Sequence, residues 1–246
     1  MYCRDWKAEY DGRVSWIRSL VESSGVKGIV FGNSGGKDSA LVGILCKAAC
    51  DNTVGILMPC ASRRNFEADA EDGRALAERF GIEARMIDLT EVREQELRQL
   101  RGITALTDDA VANIAPRLRM TTLYAVAAAE GRLVAGTGNR SEAYMGYYTK
   151  WGDGACDFNP IADLTASEVL EFLRYLDAPS SIVGKAPSAG LFDGQTDEDE
   201  MGVTYRAIDS WLLEGRAEEK DLAVIERYHR RSEHKRRPIP VYPGSV

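Results

Sequence analysis

The chain has 246 residues, 44% of them hydrophobic and 28% charged, with a formal net charge of -7. Its mean hydropathy is -0.28, and no apolar run approaches the roughly 18–20 residues that a bilayer span requires. The acidic balance argues against nucleic acid as the main partner, because phosphate backbones need a basic footprint.

The N-terminal stretch MYCRDWKAEYDGR has no apolar signal core, so a cytoplasmic protein is expected. Residues 14–24 read as an amphipathic helix, with Val14, Ile17, Arg18 and Val21 at helical spacing. Gly28–Phe31 is a short apolar run that reads as a buried strand. Lys37–Ala49 then places Ala40, Leu41, Ile44, Leu45 and Ala48 on one helix face. Thr53–Met58 is a second strand, and Glu67–Phe80 a helix stopped by Gly81. Glu83–Ile87 is a third strand, followed by helix at 91–100 and again at 108–130, where Pro116 has to start or kink a segment. Arg132–Ala135 is a fourth strand, closed by Gly136-Thr-Gly-Asn139.

Short apolar strands alternating with helices predict an α/β fold: a doubly wound, mostly parallel sheet with helices on both faces. Neither repeats nor a low-complexity linker interrupt it, so one domain over 1–246 is expected. Ligands of such sheets bind beyond the C-terminal ends of the strands, and both glycine-rich turns fall there. Residues 141–164 are polar, aromatic and weakly periodic, 166–176 helical, and 180–200 rich in Gly, Pro, Ser and Asp, as a long loop would be. Cys3, Cys46, Cys50, Cys60 and Cys156 are odd in number and scattered, against a disulfide framework or a zinc site.

The strongest local signal is Gly32-Asn33-Ser34-Gly35-Gly36-Lys37-Asp38-Ser39, between a strand and a helix. Its glycines allow a tight turn with amide N–H groups exposed ahead of a helix N-terminus, which makes an anion cradle. It departs from a Walker A loop, with Phe31 where that pattern has glycine and Asp38 after the lysine. A carboxylate beside phosphates implies an intervening cation, for which Mg²⁺ is the expectation.

Ser34-Gly-Gly-Lys-Asp-Ser39 resembles the loop of the ATP pyrophosphatases, which transfer AMP from ATP to a substrate. Gly136-Thr-Gly-Asn-Arg-Ser-Glu142, Gly146-Tyr-Tyr-Thr-Lys150 and Gly152-Asp-Gly-Ala-Cys-Asp157 resemble the signature of the NAD synthetases within that adenine nucleotide alpha-hydrolase-like superfamily. Arg117-Leu-Arg119-Met120, Pro187–Gly202 and His234-Lys-Arg236 extend the likeness, which runs in order from about residue 28 to 237.

The resemblance implies an ammonia-dependent ligase that amidates nicotinic acid adenine dinucleotide (deamido-NAD) to NAD through an acyl adenylate. It implies Mg²⁺ on Asp38 and Glu142. ATP would lie on Gly32–Ser39, Thr137 and Ser188, with Lys37 assisting departure of pyrophosphate. Deamido-NAD would lie on Arg117, Lys150, Asp157, His234 and Lys235, and Asp157 is the candidate to bind ammonium and take its proton. The family is dimeric, with the dinucleotide site at the subunit interface, so a homodimer is expected.

Several positions stay open at this stage. Glu142 could cap a local turn. Tyr144, Tyr147 and Tyr148 could be core or substrate wall, and the acidic run Asp197–Glu200 reads as a solvated face or helix start. The basic run from His229 to Arg237 is either a solvated helix end or a cap on the anionic substrate. Where the family often has an ATP-contacting lysine this chain has Ala166, and Lys185 is the candidate replacement. A nucleotide sensor without turnover, or another ATP pyrophosphatase such as a GMP-type amidase or tRNA thiolase, are the rival readings. The paired carboxylates and the absence of a basic surface weigh against them.

Overall fold

The computed structural model describes residues 4–61, 67–185 and 197–242. Four strands, β1 (Gly28–Gly32), β2 (Thr53–Leu57), β3 (Glu83–Met86) and β4 (Arg132–Ala135), make one sheet in the order β3-β2-β1-β4. Every pairing is parallel, and Val30 stands opposite Val54 on one side and Val134 on the other. Helices α1 (Trp6–Ser24), α2 (Lys37–Ala49), α3 (Ala68–Phe80), α4 (Thr90–Arg101), α5 (Asp108–Ala112) and α6 (Ile114–Glu130) fall among the strands. After β4 come α7 (Arg140–Met145), α8 (Ala166–Tyr175), α9 (Ser180–Val183), α10 (Asp197–Met201), α11 (Tyr205–Glu214), α12 (Glu219–Arg231) and α13 (Glu233–Arg236).

Alternation along β1 decides the layers. Ile29 and Phe31 point to one face, into a cluster with residues of α1, α2, α3 and α8, while Val30 joins Val54, Val134 and α6 on the other. Phe31 is fully buried, worth about 1.5–3 kcal/mol, and it fits only because its neighbours lack side chains. A Cβ on Gly43 would come within 2.6 Å of its ring and one on Gly55 within 2.9 Å. A third apolar cluster, with Met145, Met201, Tyr205, Ile208 and Ile225, joins α7, α10, α11 and α12.

Most expected elements are present. Gly81 ends α3 at φ 64°, and Pro116 is the third residue of α6, where its missing N–H costs nothing, after a break at Asn113. Three readings need correction. α1 begins at Trp6, where Asp5 accepts from Lys7 N and Ala8 N; the polar first turn hid it. The stretch 141–164 opens with the short helix α7, and 180–200 includes α9 and α10; helices of four to six residues are too short to show a period.

α1 is tied to the segment leading into α8 by a cluster of charges, in which the arginines are largely covered and Asp163 is half exposed. Arg13 donates two bonds to Asp163, at 2.7 and 2.8 Å, another to Glu9 at 2.7 Å and one to the carbonyl of Pro160. Arg4 reaches Glu168 at 2.7 Å. Burial alone would raise the Asp163 carboxyl, but Arg13 and then Arg4 outweigh it and hold it below the usual carboxylate range. A depressed folded value means that the stabilisation is complete above the unfolded value near pH 3.9 and is lost as pH falls through the folded one. Asp163 is half exposed, so Arg13→Met is expected to lower unfolding free energy by only about 1 kcal/mol at pH 7, with the gap to wild type narrowing as pH falls below about 3.9 in urea titrations. A gap unchanged down to pH 2 would contradict this ion pair as its source.

Candidate active site

In the order β3-β2-β1-β4, the chain moves one way from β1 through β2 to β3 and returns on the other side with β4. The switch point therefore lies between β1 and β4, where their following loops diverge and leave a crevice. Both glycine-rich turns open into it. The result is a cleft of about 1230 Å³, above the roughly 300–1,000 Å³ of a drug-sized pocket. A nucleotide and a second sizeable ligand are within its capacity.

The first wall is the turn after β1. Gly35 has φ 69°, and a Cβ there would lie 2.1 Å from the carbonyl oxygen of Asp69, so both conformation and space demand glycine. Asn33 fixes this turn from beneath, donating to Gly73 O at 2.8 Å and accepting from Gly35 N at 3.4 Å. The hydroxyls of Ser34 and Ser39 are 3.0 Å apart, and Gly36 N donates to Ser34 Oγ at 3.3 Å. α2 begins without a side-chain cap, which leaves its first-turn N–H groups for a ligand. Lys37 is buried with its ammonium bonded to Asp38 and 5.5 Å from the ring centre of Tyr205. Burial would lower its pKa, but the charges of Asp38 and Glu142 raise it instead.

The second wall follows β4. Asn139 caps α7 and forms a reciprocal capping box with Glu142, each bond 3.0 Å, while its side-chain Nδ2 donates to Asp38 at 3.0 Å. Asp38 and Glu142 thus stand on either side of one asparagine, and both line the cleft with Thr137. Burial first, and then the charge of Asp38, holds the Glu142 carboxyl well above the usual carboxylate range. Two carboxylates so placed are a fitting donor set for a hard cation. The alternative role for Glu142, capping a local turn, is present: its carboxylate accepts from Asn139 N.

Other expected residues divide. Lys150, His234 and Lys235 line the cleft, but Lys150 donates to His234 O at 2.7 Å and Lys235 to Gly146 O at 2.7 Å and to Tyr148 O. Arg236 likewise reaches Tyr144 O at 3.1 Å. Lys235 and Arg236 are thus stapled over the 143–148 segment, while Arg230, Arg231 and Arg237 of the same run are exposed, as a solvated helix end would be. Tyr147 and Tyr148 line the cleft, whereas Tyr144 stacks on His229, ring centres 4.0 Å apart. Ser188 lies outside the described residues.

Neither Arg117 nor Asp157 lines this cleft, although Arg117 donates to the carbonyl of Lys150 at its rim, at 3.5 Å. On α6 the lining residues are Pro116, Arg119, Met120 and Leu123, one face at helical spacing, and Arg117 is a step of about 100° off it. Asp157 follows Cys156 on an extended segment that bridges Ala135 through Phe158, so successive side chains alternate. Cys156 faces the cleft and Asp157 faces α6, accepting from Tyr124 OH at 3.2 Å and Val134 N at 2.8 Å. Arg117 and Tyr124 share a helix face, so these two expected ligands belong to one surface outside the cleft.

Sequence reasoning gave no role to Arg119, Asn139, Asp197 or Tyr205. Arg119 is half-buried and donates to Met58 O at 3.0 Å, and the loss of solvent lowers its pKa. Asp197 is no solvated residue: it is buried, lines the cleft and accepts from Tyr205 OH at 3.0 Å. Only its place at a helix start was as read. Ala166 is buried in the third cluster, with its N–H on Ser141 Oγ at 3.1 Å. Lys185 does lie against the phosphate-type loop, 3.4 Å from Gly35 O, but Asp69 and Asp72 each hold it at 2.7 Å, so its charge is already outweighed.

Residues 9–239 match the family model described as NAD synthase. An ammonia-dependent NAD synthetase of Carboxydothermus hydrogenoformans is 45% identical over 97% of this chain and 98% of its own length. Among solved structures, an NMN synthetase from Francisella tularensis superposes with a TM-score of 0.93 at 38% identity, covering 98% of this chain and 100% of that one. An ammonia-dependent NAD synthetase from Campylobacter jejuni gives 0.80 at 30% identity, with the same coverage.

The loop geometry makes a stability contrast. Gly35→Ala is expected to cost about 2 kcal/mol or more in denaturant unfolding, from the strained φ and the contact with Asp69. Gly36→Ala, whose Cβ meets only Ser34 Oγ at 3.3 Å, should stay within about 1 kcal/mol of wild type. Equal losses at both positions would be inconsistent with the turn described.

Proposed function

The chain belongs to the NAD synthase family and is a ligase, and on that footing we propose that it amidates deamido-NAD to NAD with ATP and free ammonia. The observation that carries this reading is the juxtaposition, across the β1/β4 switch point, of an amide-lined turn, a buried lysine and two carboxylates joined through Asn139. A triphosphate needs the first two, and the carboxylates need a cation between themselves and it.

In this reading Asp38 and Glu142 hold Mg²⁺, which when bound neutralises phosphate charge and eases departure of pyrophosphate. The Gly32–Ser39 amides and hydroxyls, with Thr137, bind ATP and keep its α-phosphorus in place. Lys37 sets its ammonium toward the charge that develops on the leaving pyrophosphate. A carboxylate is a poor electrophile; its attack on the α-phosphorus converts it to an acyl adenylate, from which ammonia displaces AMP. Lys150, His234, Lys235 and Arg119 supply positive charge along the cleft for the anionic substrate. Most of the rate enhancement then comes from positioning and charge neutralisation.

Arg117 and Asp157 enter through the proposed homodimer. Arg117 is exposed on α6 and Asp157 accepts from Tyr124 of the same helix, so a dinucleotide gripped between two copies would meet them there. The ammonium-deprotonating role expected of Asp157 finds no support inside the cleft of one protomer, because its carboxylate is turned away. None of the described helices is long and apolar enough to cross a membrane.

A second reading differs only in the substrate. The TM-score of 0.93 with a protein described as an NMN synthetase favours testing nicotinic acid mononucleotide, whose carboxylate would be activated identically. Incubation with ATP, Mg²⁺, ammonium and each acid in turn is expected to give the matching amide and AMP one to one (NAD from deamido-NAD, nicotinamide mononucleotide from the mononucleotide), with deamido-NAD showing the higher kcat/KM. A preference for the mononucleotide would move the assignment to the second reading, and AMP without any amide would reject both. With ¹⁸O in the substrate carboxylate, the acyl adenylate route puts label into AMP; unlabelled AMP would exclude it. Arg117→Ala and Asp157→Ala should raise KM for deamido-NAD about tenfold or more with little change in kcat, and an unchanged KM would remove both from the substrate site.

A further inference from the structure

We propose that Asn139 is a positioning residue for the metal carboxylates, setting the placement of Asp38 and Glu142 in addition to capping α7. The inference rests on the reading that these two residues take Mg²⁺. Asn139 is fully buried, with 0% exposure. As a helix cap it needs only Oδ1, which accepts from Glu142 N at 3.0 Å. That leaves a buried amide NH₂, which would be costly without an acceptor. Its Nδ2 donates to Asp38 at 3.0 Å, across 101 positions of sequence and from the loop of one strand to that of its neighbour. The backbone N–H of the same residue donates to Glu142 Oε2 at 3.0 Å.

One oxygen of each carboxylate is therefore fixed relative to a single side chain. The other oxygen of Asp38 is bonded to Lys37, and Glu142 is engaged through Oε2 alone among the described residues. Glu142 Oε1 is thus the oxygen left for a cation, at an orientation that Asn139 dictates. Ligating carboxylates commonly depend on such outer partners, whose loss weakens metal binding by about 10–100-fold. No other residue type performs all three tasks. Serine or aspartate at this position would cap the helix as well as asparagine does. A serine would be too short to reach Asp38, and an aspartate would replace the donor with a third negative charge.

That difference separates positioning from capping. Calorimetry of α,β-methylene-ATP binding, run once with Mn²⁺ and once with EDTA, isolates the gain in affinity due to the metal. Asn139→Ser is expected to melt within a few degrees of wild type yet lose about tenfold or more of that gain, with nucleotide affinity in EDTA unchanged. Asn139→Asp should lose more. A folded variant that keeps the full metal-dependent gain would overturn the proposal, since a pure helix cap predicts that result. If Asn139→Ser does not fold, Asn139→Asp carries the same test. If neither folds, the residue serves the fold and the proposal fails. A wild-type protein with no metal-dependent gain would instead defeat the underlying assignment of Asp38 and Glu142.

Discussion

Negative charge crowded beside a phosphate-type turn is the constraint around which this molecule is arranged. Asp38 sits in the first turn of α2, Glu142 across from it in α7, and Asp197 is buried nearby. Carboxylates this close repel one another and any triphosphate, and burial magnifies the repulsion. The elevated pKa of Glu142 and the buried, charged Lys37 are two expressions of the same field. A further cation relieves it, and in the proposed reading ATP delivers the Mg²⁺ that does so.

The sheet makes that crowding possible. A strand order of β3-β2-β1-β4 puts the loops after β1 and β4 side by side, although more than a hundred residues separate them in sequence. The packing beneath is unforgiving: Phe31 fills the space left by Gly43 and Gly55, Asn33 is bonded into α3, and Gly35 abuts the backbone of Asp69. The turn is thereby held by the core and does not depend on the ligand for its shape. Behind the second wall, Ser141, Asp209 and the first amides of α8 form a buried polar network that joins α7 to α8 and α11. Each carboxylate is thus mounted on an element anchored independently of the other, and Asn139 spans the gap.

What could be read without coordinates was what local sequence encodes. Strand and helix alternation gave the parallel sheet, and the Gly-Gly-Lys-Asp run identified the turn, because conformation and chemistry there are set by consecutive residues. Phase and partnership were harder. Arg117 and Arg119 are equivalent by composition, and only the helical phase of α6 shows that the second one faces the cleft. Asp157 and Cys156 differ by one step of an extended chain, which sends them to opposite sides. Lys235 and Arg236 have the charge of an anion clamp, yet carbonyls one helix away occupy them. The bridging amide of Asn139 was invisible for the same reason: its partner is remote in sequence and no local pattern announces it.

The central claim, that Asp38 and Glu142 share one divalent cation beside the nucleotide, is tested most directly by anomalous diffraction from crystals grown with Mn²⁺ and a non-hydrolysable ATP analogue. The account predicts a single strong anomalous peak within a bonding distance of about 2.0–2.3 Å of an oxygen from each carboxylate. A metal bound to the phosphates alone, with neither carboxylate in its coordination sphere, would contradict it.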